Sequence, residues 1–208
     1  MSNVCILDYG SGNVQSVKNA LDRLKISNLV SNSIESIREA SHIILPGVGA
    51  FKVAMRRIQD TLPIRELQDE VLEKKKPYLG ICVGMQVLAE RGYEKGTHLG
   101  LGWIKKHEVV ENSKQVRQPH IGWNSVRIRK KSSIFNGIED GSDFYFVHSF
   151  IMKSNSQEFV IGSTHYGDVF TSVLQKNNIF GVQFHPEKSQ ENGLLFLKNF
   201  YNFSKKFY

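Results

Sequence analysis

The stretch "GICVGMQ" (80–86) puts a cysteine between two glycines, where an apolar run gives way to a helix-forming one. Gly-x-Cys-x-Gly at a strand-to-helix corner is a nucleophile elbow: the sharp turn pushes the side chain into the open, and Gly80 and Gly84 let the backbone pass. A helix starting at Val83 aims free N–H groups at Cys82 and favours the thiolate, the reactive form. Taken alone, the same residues equally suit a small packing side chain at a strand end. In "GVQFHPEKS" (181–189), His185 leaves an apolar strand that Pro186 ends, and Glu187 stands two residues on, in reach of the far ring nitrogen. That is a Cys–His–carboxylate relay of nucleophile, acid–base and orienting charge. In "LPGVGAF" (45–51), Gly47 and Gly49 flank Val48. That pliable loop leaves backbone N–H groups free, which together with that of Val83 could hold an oxyanion. A plain turn is the rival reading of that loop.

These residues need a frame that gathers them. "VCILDY" (4–9), "HIILPG" (42–47) and "PYLGI" (77–81) read as buried strands. Between them lie helical patterns: "VQSVKNALDRL" with Val14, Val17, Ala20, Leu21 and Leu24 on one face, "SIESIREA" opened by Ser33, "FKVAMRRIQ" and "PIRELQDEVLEKKK". The elbow helix is expected to run through "VGMQVLAE" (83–90). Alternating strand and helix predicts a parallel sheet with helices on both faces, whose C-terminal strand ends share one crevice where Cys82 and His185 would meet. After about residue 105 the texture becomes strand-rich: "HEVVE", "WNSVRIRK", "DFYFVHSF", "EFVIGSTHY", "DVFTSVLQK" and "NIFGVQF", before the amphipathic helix "NGLLFLKNFYNF". One α/β domain over 1–208 is expected.

Composition narrows the classes. Hydrophobic residues at 40% and charged residues at 23% fit an ordinary globular chain. No run reaches the ~18 apolar residues of a membrane span, and "MSNVCILDYGSGN" lacks a secretory pattern, so a cytoplasmic protein without membrane contact is expected. The formal charge of +7 comes from scattered residues, with short clusters "KKK" (74–76), "RIRKK" (127–131) and "SKKF" (204–207) read as solvated faces and a fraying terminus. No nucleic-acid motif accompanies them. Cys5 lies within an apolar strand and reads as inert core. The seven histidines show no metal-ligand spacing, so neither metal nor cofactor is expected.

Together the motifs resemble the class I, triad-type glutamine amidotransferases across nearly the whole chain. More narrowly, "DYGSGN", "PGVGAF", "LGICVGMQ", "PHIGWN" (119–124), "FYFVHSF" (144–150) and "GVQFHPEKS" resemble the glutaminase subunits of imidazole glycerol phosphate synthase. The resemblance implies a three-layer, flavodoxin-like fold with a mostly parallel central sheet and a strand-rich second half. It implies Cys82 attacking the side-chain amide of glutamine, His185 passing the proton, Glu187 holding His185, and an oxyanion held by Val48, Gly49 and Val83. Gln86, Glu94, Ser149 and Phe150 would contact glutamine. Ammonia would enter a (β/α)8-barrel cyclase subunit, the other half of a heterodimer, which makes imidazole glycerol phosphate and aminoimidazole carboxamide ribotide in histidine biosynthesis. Asn13, Trp123, Tyr145 and Lys188 would face or signal to that barrel.

Three departures stand out: "AERGYEKGTHLGLGW" (89–103) in place of a "SEE" segment, Gln118 before "PH", and "SF" in place of "SY". They leave open a paralogous subunit that feeds ammonia to a surface-sugar partner. Another Cys–His hydrolase on the same fold, or a scaffold with a silent site, also stays open. A phosphate-loop reading of "YGSGN" fails on spacing, because Gln15 stands where a third glycine is needed.

Overall fold

The computed structural model describes residues 3–113, 115–154 and 156–203. The first half alternates: β1 (Val4–Ile6), α1 (Val14–Arg23), β2 (Asn28–Val30), α2 (Ile34–Glu39), β3 (His42–Gly47), α3 (Phe51–Thr61), α4 (Ile64–Gln68) with a further π-helical turn Asp69–Glu73, β4 (Tyr78–Cys82) and α5 (Val83–Gln86). The second half is mostly strand: β5 (Arg91–Gly92), β6 (His98–Leu99), β7 (His107–Glu111), β8 (His120–Ser125), β9 (Arg127–Ile128), β10 (Asp143–His148), β11 (Phe150–Ser154), β12 (Val160–Tyr166), β13 (Asp168–Lys176) and β14 (Ile179–Val182). Helix α6 (Gln190–Asn202) closes it.

Eight strands form one sheet in the order β2-β1-β3-β4-β14-β13-β12-β9. The pairs from β2 to β14 are parallel, and those from β14 to β9 antiparallel. The chain steps once to one side of β1 and then twice to the other. Right-handed crossovers therefore place α1 on one face and α2 and α4 on the other. The packing agrees, with α1 against α6 and α2 against α4. The apolar faces do the holding. Val17, Ala20 and Leu21 of α1 and Phe51, Ala54, Met55 and Ile58 of α3 are buried, each large one worth about 1.5–3 kcal/mol against exposure. Ser33 caps α2 as expected, its Oγ accepting from Ser36 N at 3.1 Å.

Several sequence readings need correction. Helix α5 is a single turn, because the carbonyls just past it, which a longer helix would use, are taken by the 100–104 segment: Leu101, Gly102 and Ile104 donate to Val87, Ala89 and Leu88. The "DFYFVHSF" run is two strands broken at Ser149, β10 pairing with β8 and β11 joining β7, β5 and β6. "WNSVRIRK" likewise divides at Val126 between the ribbon and the edge of the large sheet. "VCILDY" pairs only over Val4–Ile6, while β2 and the two-residue β5 and β6 are too short to show a period. The "KKK" cluster is not all solvated: Lys76 is buried, paired with Glu70 Oε2 at 2.7 Å and donating to the last carbonyls of α2. "SKKF" (204–207) lies outside the described residues. Among the described residues no helix is long and apolar enough to cross a membrane, and no group of His, Cys, Asp or Glu could hold a metal ion.

Candidate active site

Three neighbouring parallel strands end together. Gly47 of β3 lies opposite Cys82 of β4, and Ile81 lies opposite Val182 of β14. The "PGVG" loop, the elbow cysteine and the residues after β14 are thereby brought side by side. Cys82 takes φ +53°, ψ −111°, a strained corner for a residue with a Cβ. The glycines on either side permit it by close contact: a Cβ on Gly84 would lie 1.9 Å from Leu45 O, and one on Gly80 2.3 Å from Gly84 O. No other residue fits either place.

A cleft of about 240 Å³ opens over the sulfur, lined by Val48, Gly49, Cys82, Val83, Gln86, Glu94, Val147, His148, Ser149, Phe150, His185 and Lys188. That is below the usual range for drug-sized ligands and suits a single amino acid. His185, buried, lies close enough to Cys82 for the sulfur to act on its ring, and its Nδ1 lies 2.8 Å from Glu187 Oε1 on the other side. Burial opposes a charge on His185, yet the Cys82 sulfur and the Glu187 carboxylate outweigh it and push the ring up to about 10. The imidazole is thus held as a proton carrier between an acceptor that reacts and one that does not.

The remaining candidates fall as follows. Glu94, in the β5–β6 turn, accepts from Phe51 N at 2.7 Å, so the unusual 89–103 segment still delivers its carboxylate to the cleft. Gln86 is buried on α5 and donates to Phe150 O at 2.9 Å. Ser149 and Phe150 form the wall at the break between β10 and β11, where Ser149 O accepts from Asn112 N at 3.0 Å. Lys188 is exposed at the rim. Trp123 and Tyr145 are cross-strand partners on the β8–β10 ribbon, their rings edge to face at 5.9 Å, and Trp123 is 47% exposed. Asn13 does more than face outward: its Nδ2 donates to Glu187 Oε1 at 3.1 Å, so it shares the carboxylate with His185.

The oxyanion loop departs from expectation. Gly49, at φ +93°, is open to the cleft. The Val48 N–H is not free, however; it donates to Ser11 O at 2.8 Å. The 10–13 turn packs against Pro46 and is braced by Arg57, which donates to Gly10 O and Ser11 Oγ.

Sequence reading missed Tyr9, Gln183 and the buried His120–His148 pair. The Tyr9 hydroxyl is buried beside Gly47. Gln183 was visible as a polar residue inside an apolar run, one strand period before His185. The two histidines were visible inside "PHIGWN" and "FYFVHSF", although nothing there showed that they meet.

The description "Glutamine amidotransferase class-I" matches residues 5–202. Relatives include the imidazole glycerol phosphate synthase subunit HisH 1 of Campylobacter jejuni, 44% identical over 95% of this chain and 98% of that protein. HisH 2 of Vibrio vulnificus is 42% identical over 97% and 95%, and HisH of Aquifex aeolicus 42% identical over 94% of each. Among solved structures, PurLQS from Thermotoga maritima superposes with a TM-score of 0.73 at 19% identity, covering 97% of this chain and 98% of that one. A glutamine amidotransferase from the same organism gives 0.64 at 15% identity over 97% and 83%. These structures show the layered α/β fold, and the sequence matches show the kinship: the chain belongs to the class-I glutamine amidotransferase family, among the HisH subunits of imidazole glycerol phosphate synthase.

Proposed function

We propose that the cleft hydrolyses glutamine to glutamate and ammonia for a partner synthase subunit, with Cys82, His185 and Glu187 as the catalytic residues. The observation that carries this is His185, bound to Glu187, lining the same amino-acid-sized cleft as Cys82. Cys82 Sγ attacks the side-chain carbonyl carbon of glutamine, and the new oxyanion is taken by the N–H groups of Val83, Val48 and Gly49. His185 gives its proton to the departing amine, and ammonia leaves a γ-glutamyl thioester. A water that loses its proton to His185 then cleaves the thioester, and the sulfur leaves as thiolate. Gln86, Glu94, Ser149 and Phe150 line the part of the cleft that would hold the α-amino and α-carboxylate groups. Glu187 and Asn13 keep the ring aimed.

Ammonia passes to a (β/α)8-barrel cyclase that docks on the exposed ribbon of Trp123 and Tyr145, with Lys188 at the rim. There it is consumed in making imidazole glycerol phosphate and aminoimidazole carboxamide ribotide in the cytoplasm. The test is glutamate release by wild type and Cys82→Ala, each alone and with the cyclase of the same genome plus its ribotide ligand. Release that needs Cys82 and rises with partner and ligand is expected. Cys82-dependent release indifferent to that cyclase would assign the chain to a surface-sugar partner. No release at all would sink the glutaminase reading.

A further inference from the structure

In the wall of the cleft, Phe150 O accepts two hydrogen bonds, from Gln86 Nε2 at 2.9 Å and His148 Nδ1 at 3.1 Å. A carbonyl oxygen only accepts, so this one atom sets the direction of every bond leading away from it. On one side, Gln86 must turn its NH2 group toward Phe150, and its other hydrogen goes to Gln183 Oε1 at 3.0 Å. Gln183 then has only its own NH2 group to present to Cys82 Sγ, 3.7 Å away. On the other side, His148 carries its proton on Nδ1 and accepts at Nε2 from His120 Nδ1, at 3.1 Å. His120 in turn accepts at Nε2 from Asn124 Nδ2, at 3.3 Å. Asn124 follows Trp123 on β8, so an unbroken chain with every donor assigned runs from the exposed ribbon to the sulfur.

We propose that Gln183 is a further residue of the catalytic site, donating a hydrogen bond to the Cys82 thiolate, and that Gln86 is the positioning residue that fixes its amide. Backbone register puts it there: β14 and β4 pair Val182 with Ile81, so the next residue on each strand is Gln183 and Cys82. Gln183 is fully buried, and an amide donor favours the charged form of the sulfur over the neutral one. Burial keeps the two rings in the required neutral form, pushing His120 down to about 4 and, with His120 beside it, His148 to about 3.

The test reads the sulfur directly, by iodoacetamide labelling of Cys82 followed by mass spectrometry across pH. It compares wild type, Gln183→Met (similar length, no donor) and Gln183→Glu (same shape, acceptor only once ionised). One charge-assisted hydrogen bond corresponds to about tenfold. Labelling of Gln183→Met at neutral pH should therefore slow about tenfold, and that of Gln183→Glu further. The difference should vanish at alkaline pH, where the thiolate is complete in all three. The other titratable groups about the sulfur and its cleft, His185 with Glu187 behind it, Tyr9, His148, Glu94 and Lys188, are unchanged in these variants. Equal labelling at every pH in folded Gln183→Met would overturn the assignment. A second measurement leaves Gln183 intact: its side-chain amide resonance in 15N-labelled protein should move with pH in step with Cys82 labelling, and should stay still in Cys82→Ser. A resonance indifferent to Cys82 would overturn the assignment equally. The inference rests on the glutaminase reading only for its effect on turnover. Labelling needs no glutamine, so a wild type that shows the Gln183 effect but releases no glutamate would sink that reading alone.

Discussion

The buried histidines predict a stability maximum near neutral pH with two limbs of different origin. His120 and His148 are pushed by burial from 6.5 to about 4 and about 3. A folded value below the unfolded one means that the unfolded chain takes up the proton first. Their contribution is therefore present above 6.5 and lost as pH falls toward the folded values. At pH 5, about 1.5 units below the unfolded value, each ring forfeits about 2 kcal/mol at about 1.36 kcal/mol per unit. The two share a hydrogen bond, so about 3–4 kcal/mol together is the working figure, a large part of the ~5–15 kcal/mol that holds a domain. His42 and His107, also lowered by burial, add to this limb. Asp22, held low by its bond from Lys18, and Asp140, held low by the Ile128 amide, lose theirs only below about 4.

His185 has the opposite sign. Burial works against its charge, but Cys82 and Glu187 raise it to about 10. Its contribution is thus full below 6.5 and lost as pH rises toward 10, with about 2 kcal/mol gone by pH 8. Urea unfolding at pH 5, 6.5 and 8 reads both limbs. His120→Phe keeps the stack on Tyr166 and Phe146 and should remove about half of the acid limb. Cys82→Ser should remove most of the alkaline one, and Glu187→Gln a smaller part. Wild-type stability at pH 5 within about 1 kcal/mol of its pH 6.5 value would refute the neutral-pair argument.

Gly84→Ala drives a Cβ to 1.9 Å from Leu45 O; a loss above about 3 kcal/mol is expected, read as a fall in Tm with Cys82 labelling deranged. Asn13→Ala removes one of two donors from Glu187 Oε1, so glutaminase kcat should fall about tenfold with KM unchanged in steady-state assays. Trp123→Ala cuts the largest exposed aromatic from the ribbon. By calorimetry the Kd for the cyclase should rise at least about tenfold, while partner-free hydrolysis holds steady. Arg57→Met unbraces the turn whose Ser11 O holds the Val48 N–H; partner-free glutamate release should rise about threefold, and release in the complex should barely change.

How much of this was legible depended on whether a feature is local. The elbow, the "HPE" corner and the buried strands β3 and β4 announce themselves because a glycine, a proline or an apolar run within a few residues dictates them. The short extent of α5 is not local: it is decided by backbone donors at 101–104 that reach back to 87–89. The break at Ser149 is hidden for a similar reason. Both sides of it are good strand sequence, and only the different partners of β10 and β11 show that the chain changes sheets there. Asn13 reads in the sequence only as a residue facing or signalling to the barrel, because the sequence cannot show that the first turn and Glu187 are neighbours. The Arg57 brace and the His120–His148 bond are of the same long-range kind.

The resting contacts also account for why such a subunit would wait for its partner. His185 is already bound to Glu187 and lines the cleft beside Cys82, so the proposed mechanism asks for little rearrangement there. What is misdirected is the Val48 N–H, spent on Ser11 O. A missing oxyanion donor is worth about 10²–10³ in rate, whereas one backbone hydrogen bond is worth only about 0.5–1.5 kcal/mol net. On the proposed function, a partner that offset that small cost by repacking the 10–13 turn, through contacts near Asn13 and the rim, would gain a large factor in turnover. Gly49 supplies the freedom for the change, since its positive φ and empty surroundings let the peptide turn without meeting a side chain. On the proposed function, that asymmetry between a cheap release and a large catalytic return would let one loop act as the control point while the triad stays fixed.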